Sequence, residues 1–350
     1  MSDIMPNRQS AILRFMRYGD EYAAVDLLTM FGRDAPAPAT VRRDMQALVL
    51  AGCVEQSGER RGTVYRKTLH GALETPYDPA EYYAQSELVR RALEQYQYGY
   101  LDLMEDYVIS QETIVALDTA TKRYHERSIA ASLGVRKREL ERFVIEFSWK
   151  SSAIEGNTYT LLDTERLLAE GIEAHSHSKE EARMILNHKQ ALSFAVNLAP
   201  EVAITRRLVE DLHVMLTEGL GVSHGVRRGE VGIVGTSYRP PFVSTKIEEE
   251  LDRLCERVQS MADPYSRALL ALVGISYLQP FEDGNKRTAR LFANALLLQC
   301  DIAPLSYRDT DVRTYRESML VFYEQLSVVP MRNIFVDQYR YACEHYLVGA

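Results

Sequence analysis

Apolar residues along this chain recur mostly three and four positions apart, and strand-like alternation is confined to a few short runs. Residues 9–17 form a predicted helix with Ile12, Leu13 and Met16 on one face. Residues 22–31 follow as a second, stopped at Gly32. A third opens at Pro38 and ends at Gly52, with Thr40 as its cap. Its stripe Val41, Met45, Leu48 and Val49 faces inward, which leaves Arg42 and Arg43 pointing out of the first turn. Alternation over 53–56 and 63–66, around the basic tip Gly58-Glu59-Arg60-Arg61-Gly62, predicts a hairpin.

Pro76 and Pro79 then mark a linker over 73–83, before helices over 87–94 and 101–121. A helix ending at Glu155 is stopped by Gly156 and Asn157. Helical periods continue over 161–168, 180–195, 208–216, 247–261, 266–277, 288–299, 312–326 and 333–346. Residues 230–241 alternate around Gly and Thr and close on Pro240 and Pro241, which predicts a short hairpin that cannot continue. The expected organisation is an N-terminal α+β unit over 1–70, a linker with its first connecting helix over 71–100, and a nearly all-helical domain over 101–350. The fold class is mainly α.

Composition narrows the function classes. A chain of 350 residues, 46% apolar, is long enough for two or three cores. The net charge of −8 argues against the whole surface being a nucleic-acid footprint. Yet the first 70 residues hold 10 Lys and Arg against 8 Asp and Glu (+2), leaving 31 against 41 (−10) for the rest, so the N-terminal piece reads as its own unit. No run approaches a membrane span, and Met1-Ser2-Asp3 lacks a basic-then-apolar leader, so a cytoplasmic location is expected. Cys53, Cys255, Cys300 and Cys343 are scattered without metal-ligand spacing and read as buried thiols. His188 and His213 lie on predicted helices and read as packed or capping residues. Tyrosines at 82, 83, 96, 98, 100 and 107 read as core or dimer-face aromatics.

The chemistry concentrates in Gln279-Pro280-Phe281-Glu282-Asp283-Gly284-Asn285-Lys286-Arg287-Thr288-Ala289-Arg290. A turn through Gly284 and Asn285 feeds a buried helix, whose first N–H groups and positive dipole end favour phosphate. Asp283 adds a carboxylate suited to Mg²⁺, and Lys286, Arg287 and Arg290 add cations about one turn apart. A nucleotide triphosphate with magnesium is the economical ligand. Gln279, at the head of the string, neither binds nor releases a proton near neutral pH.

The string resembles the signature of the Fic (Fido) family, His-x-Phe-x-Asp/Glu-Gly-Asn-Gly/Lys-Arg followed by x-x-Arg, at every position except the first. The resemblance implies that Phe281 anchors the loop, Asp283 holds the metal, Gly284 and Asn285 cradle phosphates, and Arg287 and Arg290 neutralise the β- and γ-phosphates of ATP. Family members transfer AMP, or less often another phosphate-containing group, to a protein hydroxyl, and the family His accepts the hydroxyl's proton. Gln279 stands in its place. Ser151-Ser152-Ala153-Ile154-Glu155-Gly156-Asn157 resembles the family's inhibitory motif, which implies a Glu155 to Arg290 ion pair obstructing the γ-phosphate. Residues Val231, Gly232, Ile233 and Val234 correspond to the family's flap, which pairs with an extended segment of a target protein.

The run from Ala39 to Leu48 resembles the recognition helix of DeoR-type winged-helix regulators, with Thr40, Arg42 and Arg43 toward DNA and Arg60 and Arg61 on the wing. Two function classes follow. One is a DNA-binding transcription regulator acting on its own operator, a homodimer because paired half-sites need two copies, with a pseudoenzyme Fic core that senses a nucleotide or serves as a scaffold. The other is a self-inhibited protein adenylyltransferase with weak activity.

Overall fold

The computed structural model describes residues 7–90 and 92–348, without the side chains of Arg61 and of residues 105–107. The Met1-Ser2-Asp3 start and the ring of Tyr107 therefore lie outside the described residues. The N-terminal unit comprises α1 (Asn7–Phe15), β1 (Glu21–Ala23), α2 (Ala24–Thr29), α3 (Pro38–Leu50), β2 (Val54–Ser57) and β3 (Val64–Lys67). The strand order is β1-β3-β2, with β3 antiparallel to both neighbours. Ile12, Leu13, Met16, Leu27, Val41, Met45, Leu48 and Tyr65 form a core of the unit's own.

Two local expectations change here. The second helix begins at Ala24, because residues 21–23 pair with β3 instead. Tyr22 is buried, its hydroxyl accepts from the Arg17 N–H at 2.8 Å, and Glu21 pairs with Arg66 across the sheet. Three residues are too few to show an alternating pattern. Thr40 does not cap α3: Pro38, with its φ preset for the first turn, starts the helix earlier, and Ala37 occupies the cap position without a side-chain bond.

The rest is helical: α4 (Leu69–Leu73), α5 (Pro79–Ala84), α6 (Glu87–Arg90), α7 (Tyr100–Tyr107), α8 (Gln111–Ala130), α9 (Leu133–Ile154), α10 (Leu161–Glu170), α11 (Lys179–Val196), α12 (Arg206–Thr217), α13 (Ser244–Ser260), α14 (Pro264–Leu278), α15 (Asn285–Gln299), α16 (Val312–Gln325) and α17 (Val329–His345). The protein is thus mainly α with one small sheet. At its centre α14 and α15 pack on each other, with α9, α11, α12, α13 and α16 around them. Every residue from Ala268 to Leu278 is buried, as suits a helix apolar on all sides. Gly274 permits that closeness, since a Cβ there would sit 2.7 Å from Leu254 Cδ1 and 3.3 Å from the Tyr100 hydroxyl.

The expected linker is packed rather than free. Ala72 and Leu73 join the main core, and the prolines shape short helices, Pro79 following the Asp78 cap of α5. Glu324 of α16, with no exposed side-chain surface, gathers this segment. It accepts from Tyr82 (2.8 Å) and Tyr83 (3.1 Å) and pairs with Arg90 at 3.1 Å. The helix expected over 101–121 is split into α7 and α8, because Ser110 caps α8 by accepting from the Thr113 N–H. Over 230–241 two extended arms flank a turn at Val234 and Gly235 without a ladder between them among the described residues. The second arm pairs instead with residues 94–95, through a parallel bridge of Arg239 to Gln95 and an Arg239 N–H bond to Glu94 O at 2.8 Å. Prolines at 240 and 241 stop any further pairing. Cys53, Cys255 and Cys343 are buried and all four cysteines are free.

Removing one member of a buried ion pair leaves the other charge uncompensated. Glu324→Ala is expected to lower unfolding free energy by about 3–5 kcal/mol in denaturant titrations, whereas Glu249→Ala, at an exposed pair, leaves the midpoint unchanged.

Candidate functional site

The loop joining α14 to α15 is held from several sides. Helix α14 ends at Gln279, a non-glycine residue in the left-handed region (φ 49°, ψ 59°). Its N–H donates to Ile275 O at 2.9 Å, and its carbonyl accepts from Arg227 Nε at 2.7 Å. Arg227 is buried, donates also to the carbonyls of Gly229 and Pro241, and has no carboxylate partner among the described residues. Burial pulls its pKa below the ordinary value, and its countercharge is the negative end of α14. One guanidinium thereby ties the base of the 229–241 arms to the loop. The Gln279 side chain turns back, donating from Nε2 to Ser276 O at 2.7 Å.

Further along, Phe281 is fully buried, and Asn285 closes the loop with two bonds of 2.8 Å to the Phe281 backbone. The Asn285 side chain is therefore committed to the loop, which leaves its backbone N–H, without a helical acceptor, as its remaining donor and narrows the expected cradle. Gly284 caps α15 at φ 80°, where a Cβ would lie 2.9 Å from Thr217 Cγ2. His213 stacks on Phe281 (3.8 Å between centroids) and donates from Nε2 to Asp283 O at 2.9 Å.

Behind the loop stand the cations. Arg290 has no exposed surface; Nε donates to Ser151 Oγ at 2.9 Å, and Nη2 donates to Ser151 O and meets Glu155 Oε1, both at 2.8 Å. Lys286 lies 3.8 Å from the other Glu155 oxygen, and Arg287 donates to Asp283 at 3.1 Å. Burial raises the Glu155 pKa, but Arg290 and Lys286 outweigh it and leave the carboxyl below its usual value. Burial lowers that of Arg290, and Glu155 more than reverses this. Burial keeps Arg287 lowered.

Glu155 is placed by the end of α9. Gly156 at φ 101° donates to Ala153 O, and Asn157 donates to Ser152 O, a Schellman closure that swings residue 155 off the helix toward Arg290. His188 supports Ser151 from the far side. Its Nδ1 donates to Met184 O at 2.8 Å, so Nε2 is the acceptor for the Ser151 hydroxyl at 2.9 Å.

In front of these groups lies a cleft of about 390 Å³ lined by Glu155, Val231, Gly232, Ile233, Val234, Gln279, Glu282, Asp283, Gly284, Asn285 and Lys286, and on the α16 side by Tyr315, Arg316, Met319, Leu320 and Tyr323, whereas Arg287 and Arg290 are buried behind it and do not line it. Five of the positions singled out as phosphate, metal or inhibitory residues thus share one cavity with the four flap residues. The first N–H groups of α15 have no helical acceptor, and Arg287 Nη1 is buried without a hydrogen-bond partner, while the Arg290 guanidinium lies against the Tyr315 hydroxyl and the Tyr323 hydroxyl against Ser276 and Gln279. Such orphaned donors fit an anionic ligand. Asp283 stands exposed at the mouth, and no cluster of three potential ligands occurs among the described residues. A Mg²⁺ ion would fit only by sharing Asp283 with phosphate oxygens.

Sequence reading missed Arg227, Tyr315, Tyr323 and the loop role of His213. Each is remote in sequence: α12 brings His213, α16 brings Tyr315 and Tyr323, and the segment between α12 and α13 brings Arg227 to the loop. In the N-terminal unit, Arg42, Arg43 and Arg60 are exposed and form no ion pair among the described residues, while Arg8 and Arg66 do. Thr40 is half-buried, and the Arg61 side chain lies outside the described residues.

Burial lowers His213 to about 4 and His188 to about 3. As pH falls below about 6.5, the unfolded chain takes protons that the folded chain refuses, so stability falls with pH over that window. The slope is up to about 1.4 kcal/mol per pH unit for each imidazole. His213→Gln is expected to flatten the stability profile between about pH 6.5 and 4; an unchanged slope contradicts the placement of a neutral His213.

A family model described as the Fic/DOC family matches residues 203–297. A protein adenylyltransferase Fic from Nematostella vectensis is 28% identical over 217 residues, 60% of this chain and 50% of the relative. A Drosophila melanogaster protein of the same description is 27% identical over 56% of this chain and 40% of its own length. The chain thus spans half or less of these curated relatives. Among solved structures, Fic-1 from C. elegans aligns over 92% of this chain and 87% of its own with a TM-score of 0.60 at 18% identity, which shows the fold alone. Loop, cradle and surrounding helices all fall within or against the matched stretch, and residues 203–297 are a Fic/DOC family domain.

Proposed function

We propose that this chain is a DNA-binding transcription regulator whose Fic-type cleft binds ATP with Mg²⁺ and lacks the base for efficient group transfer. The observation that carries the reading is the pairing of Lys286 and the unpartnered first N–H groups of α15 at the cleft, backed by the buried Arg287 and Arg290, with an amide at Gln279. The first supplies polyphosphate binding; the second withholds proton transfer. For AMP transfer, a target hydroxyl oxygen bonds to the α-phosphorus, the bond to the β-phosphate oxygen breaks, pyrophosphate leaves, and the hydroxyl proton needs an acceptor. Gln279 cannot be that acceptor, and loss of a general base typically costs about 10²- to 10⁴-fold. Asp283 would hold the metal, whose charge would offset that of the phosphates. Lys286, Arg287 and the α15 N-terminus would bind them, with Arg290 available once Glu155 leaves it. Glu155 is the inhibitory carboxylate in this reading, held by Ser151 and the Gly156 turn through their shared helix end.

The N-terminal unit supports the DNA part. The reading takes its three helices with the β2–β3 hairpin as a winged helix, and Arg42, Arg43 and Arg60 are solvent-facing and form no ion pair among the described residues. In this reading the domains divide as 1–70, 71–100 and 101–350, with the middle segment a packed connector. A homodimer on the chain's own operator is part of the same proposal.

The names of the matched relatives favour a second reading, a weakly active protein adenylyltransferase acting on a protein target docked along Val231 to Val234, one of which, Val234, is 96% exposed. Labelling with radioactive ATP separates the two. The regulator reading expects little protein labelling by Glu155→Gly and a rise of about 10²-fold or more on adding Gln279→His; strong labelling by the unmodified chain favours the transferase. Titration of upstream DNA is expected to show binding that weakens steeply with salt and is lost in Arg42→Ala with Arg43→Ala. Salt-independent binding, or none, removes the regulator reading.

A further inference from the structure

Residues 92–97 run without a helix or an extended strand between the two units, and their backbone bonds go to elements of functional interest. Ala92 O accepts from Arg17 Nη2 at 3.2 Å, in the turn after α1. Leu93 N–H donates to Glu324 O at 2.8 Å, and Glu94 O accepts from Arg239 N–H at 2.8 Å. Gln97 N–H donates to the hydroxyl of Tyr277, which lies just before Gln279, at 3.0 Å. Ala92, Leu93 and Tyr96 are buried, so the strap is packed as well as bonded.

A column of rings runs through the same place. Tyr96 stacks on Tyr277 (4.8 Å), Tyr277 on Tyr238 (4.7 Å) and Tyr238 on Tyr323 (5.5 Å). Those four belong in turn to the strap, the end of α14, the second arm of 230–241 and the cleft face of α16. Beside the column, Arg90 bonds Glu324 and reaches Gly235 O at 3.4 Å, in the turn between the arms. At the other end, Tyr18, next to Arg17, bridges Lys67 of β3, the central strand whose hairpin tip carries Arg60.

We infer that the strap, with Arg90 and the tyrosine column, couples the cleft to the N-terminal unit, so that a ligand moving the arms or α16 shifts the sheet through Arg17 and Tyr18. The inference rests on the nucleotide reading for its ligand, and on the DNA reading for its consequence. Interfaces this closely packed rearrange in steps rather than bending gradually, which gives the strap discrete positions to report. By linkage, a load on the N-terminal unit changes ligand affinity at the cleft by the same factor.

Hydrogen exchange of the full chain, read by mass spectrometry, tests this. Adding Mg·ATP is expected to slow exchange at 279–290 and to change it on the order of tenfold at 92–97 and in α1, the scale of one charge-assisted hydrogen bond, with α10 unchanged as a control. Without nucleotide, Arg90→Ala is expected to speed exchange both at 230–239 and in α1. Arg17→Ala removes a half-exposed contact that leaves the buried pair intact, and is expected to speed exchange at 92–97 and 230–239 as well as in α1. An Arg17→Ala effect confined to α1, or an Arg90→Ala effect confined to the arms and α16, overturns the coupling. No change at 279–290 with Mg·ATP instead removes the nucleotide reading, while the two variants still decide the coupling.

Discussion

A guanidinium with no surface in water needs its charge answered within the protein, and Arg290 finds that answer in Glu155. Much of the site follows from this requirement. The carboxylate must reach over the end of α9, which the Gly156 turn makes possible. Ser151 must offer both its hydroxyl and its carbonyl, and His188 must stay neutral to accept the hydrogen bond of the Ser151 hydroxyl. Lys286, from the first turn of α15, shares the same carboxylate. In the proposed reading a polyphosphate would offer the same cations an alternative partner, and the site would have two ways to satisfy one buried charge, which is the physical basis of a latch.

A second constraint lies on the other side of the cleft. The arms over 230–241 lack a ladder of their own among the described residues and depend on Arg227, Tyr238 and the Glu94 carbonyl for their position. Their free edge faces the cavity while their bonded side faces the strap. Glu324, buried beneath three donors from residues 82–90, fixes that side to α16. Residues 92–97 consequently bond to the arms on one side and to Arg17 of the N-terminal unit on the other, although the chain before them begins with the prolines of a linker.

Much of this was legible in sequence because it is local. Helix period, the stop at Gly156 and the Gly284 turn depend on neighbours in the chain. The resemblance of residues 279–290 and 151–157 put Arg290 and Glu155 together across a long stretch of intervening chain, which spacing by itself could not do. What escaped depends on tertiary contact. Residues 21–23 become a strand only because β3 is there to pair with, and Thr40 loses its cap to the preset φ of Pro38. The linker packs because Glu324, from a helix near the other end of the chain, supplies its partner. Asn285 looked like a phosphate ligand, yet its amide is spent on Phe281.

Calorimetric titration of Mg·ATP into the unmodified chain and into Glu155→Gly measures the exchange of partners at Arg290 most directly. The expected result is binding to both, tighter in Glu155→Gly by about tenfold or more, equivalent to ~1.4 kcal/mol. Equal affinity in the two proteins, or heat from neither, would contradict a latch in which carboxylate and phosphate compete for one buried guanidinium.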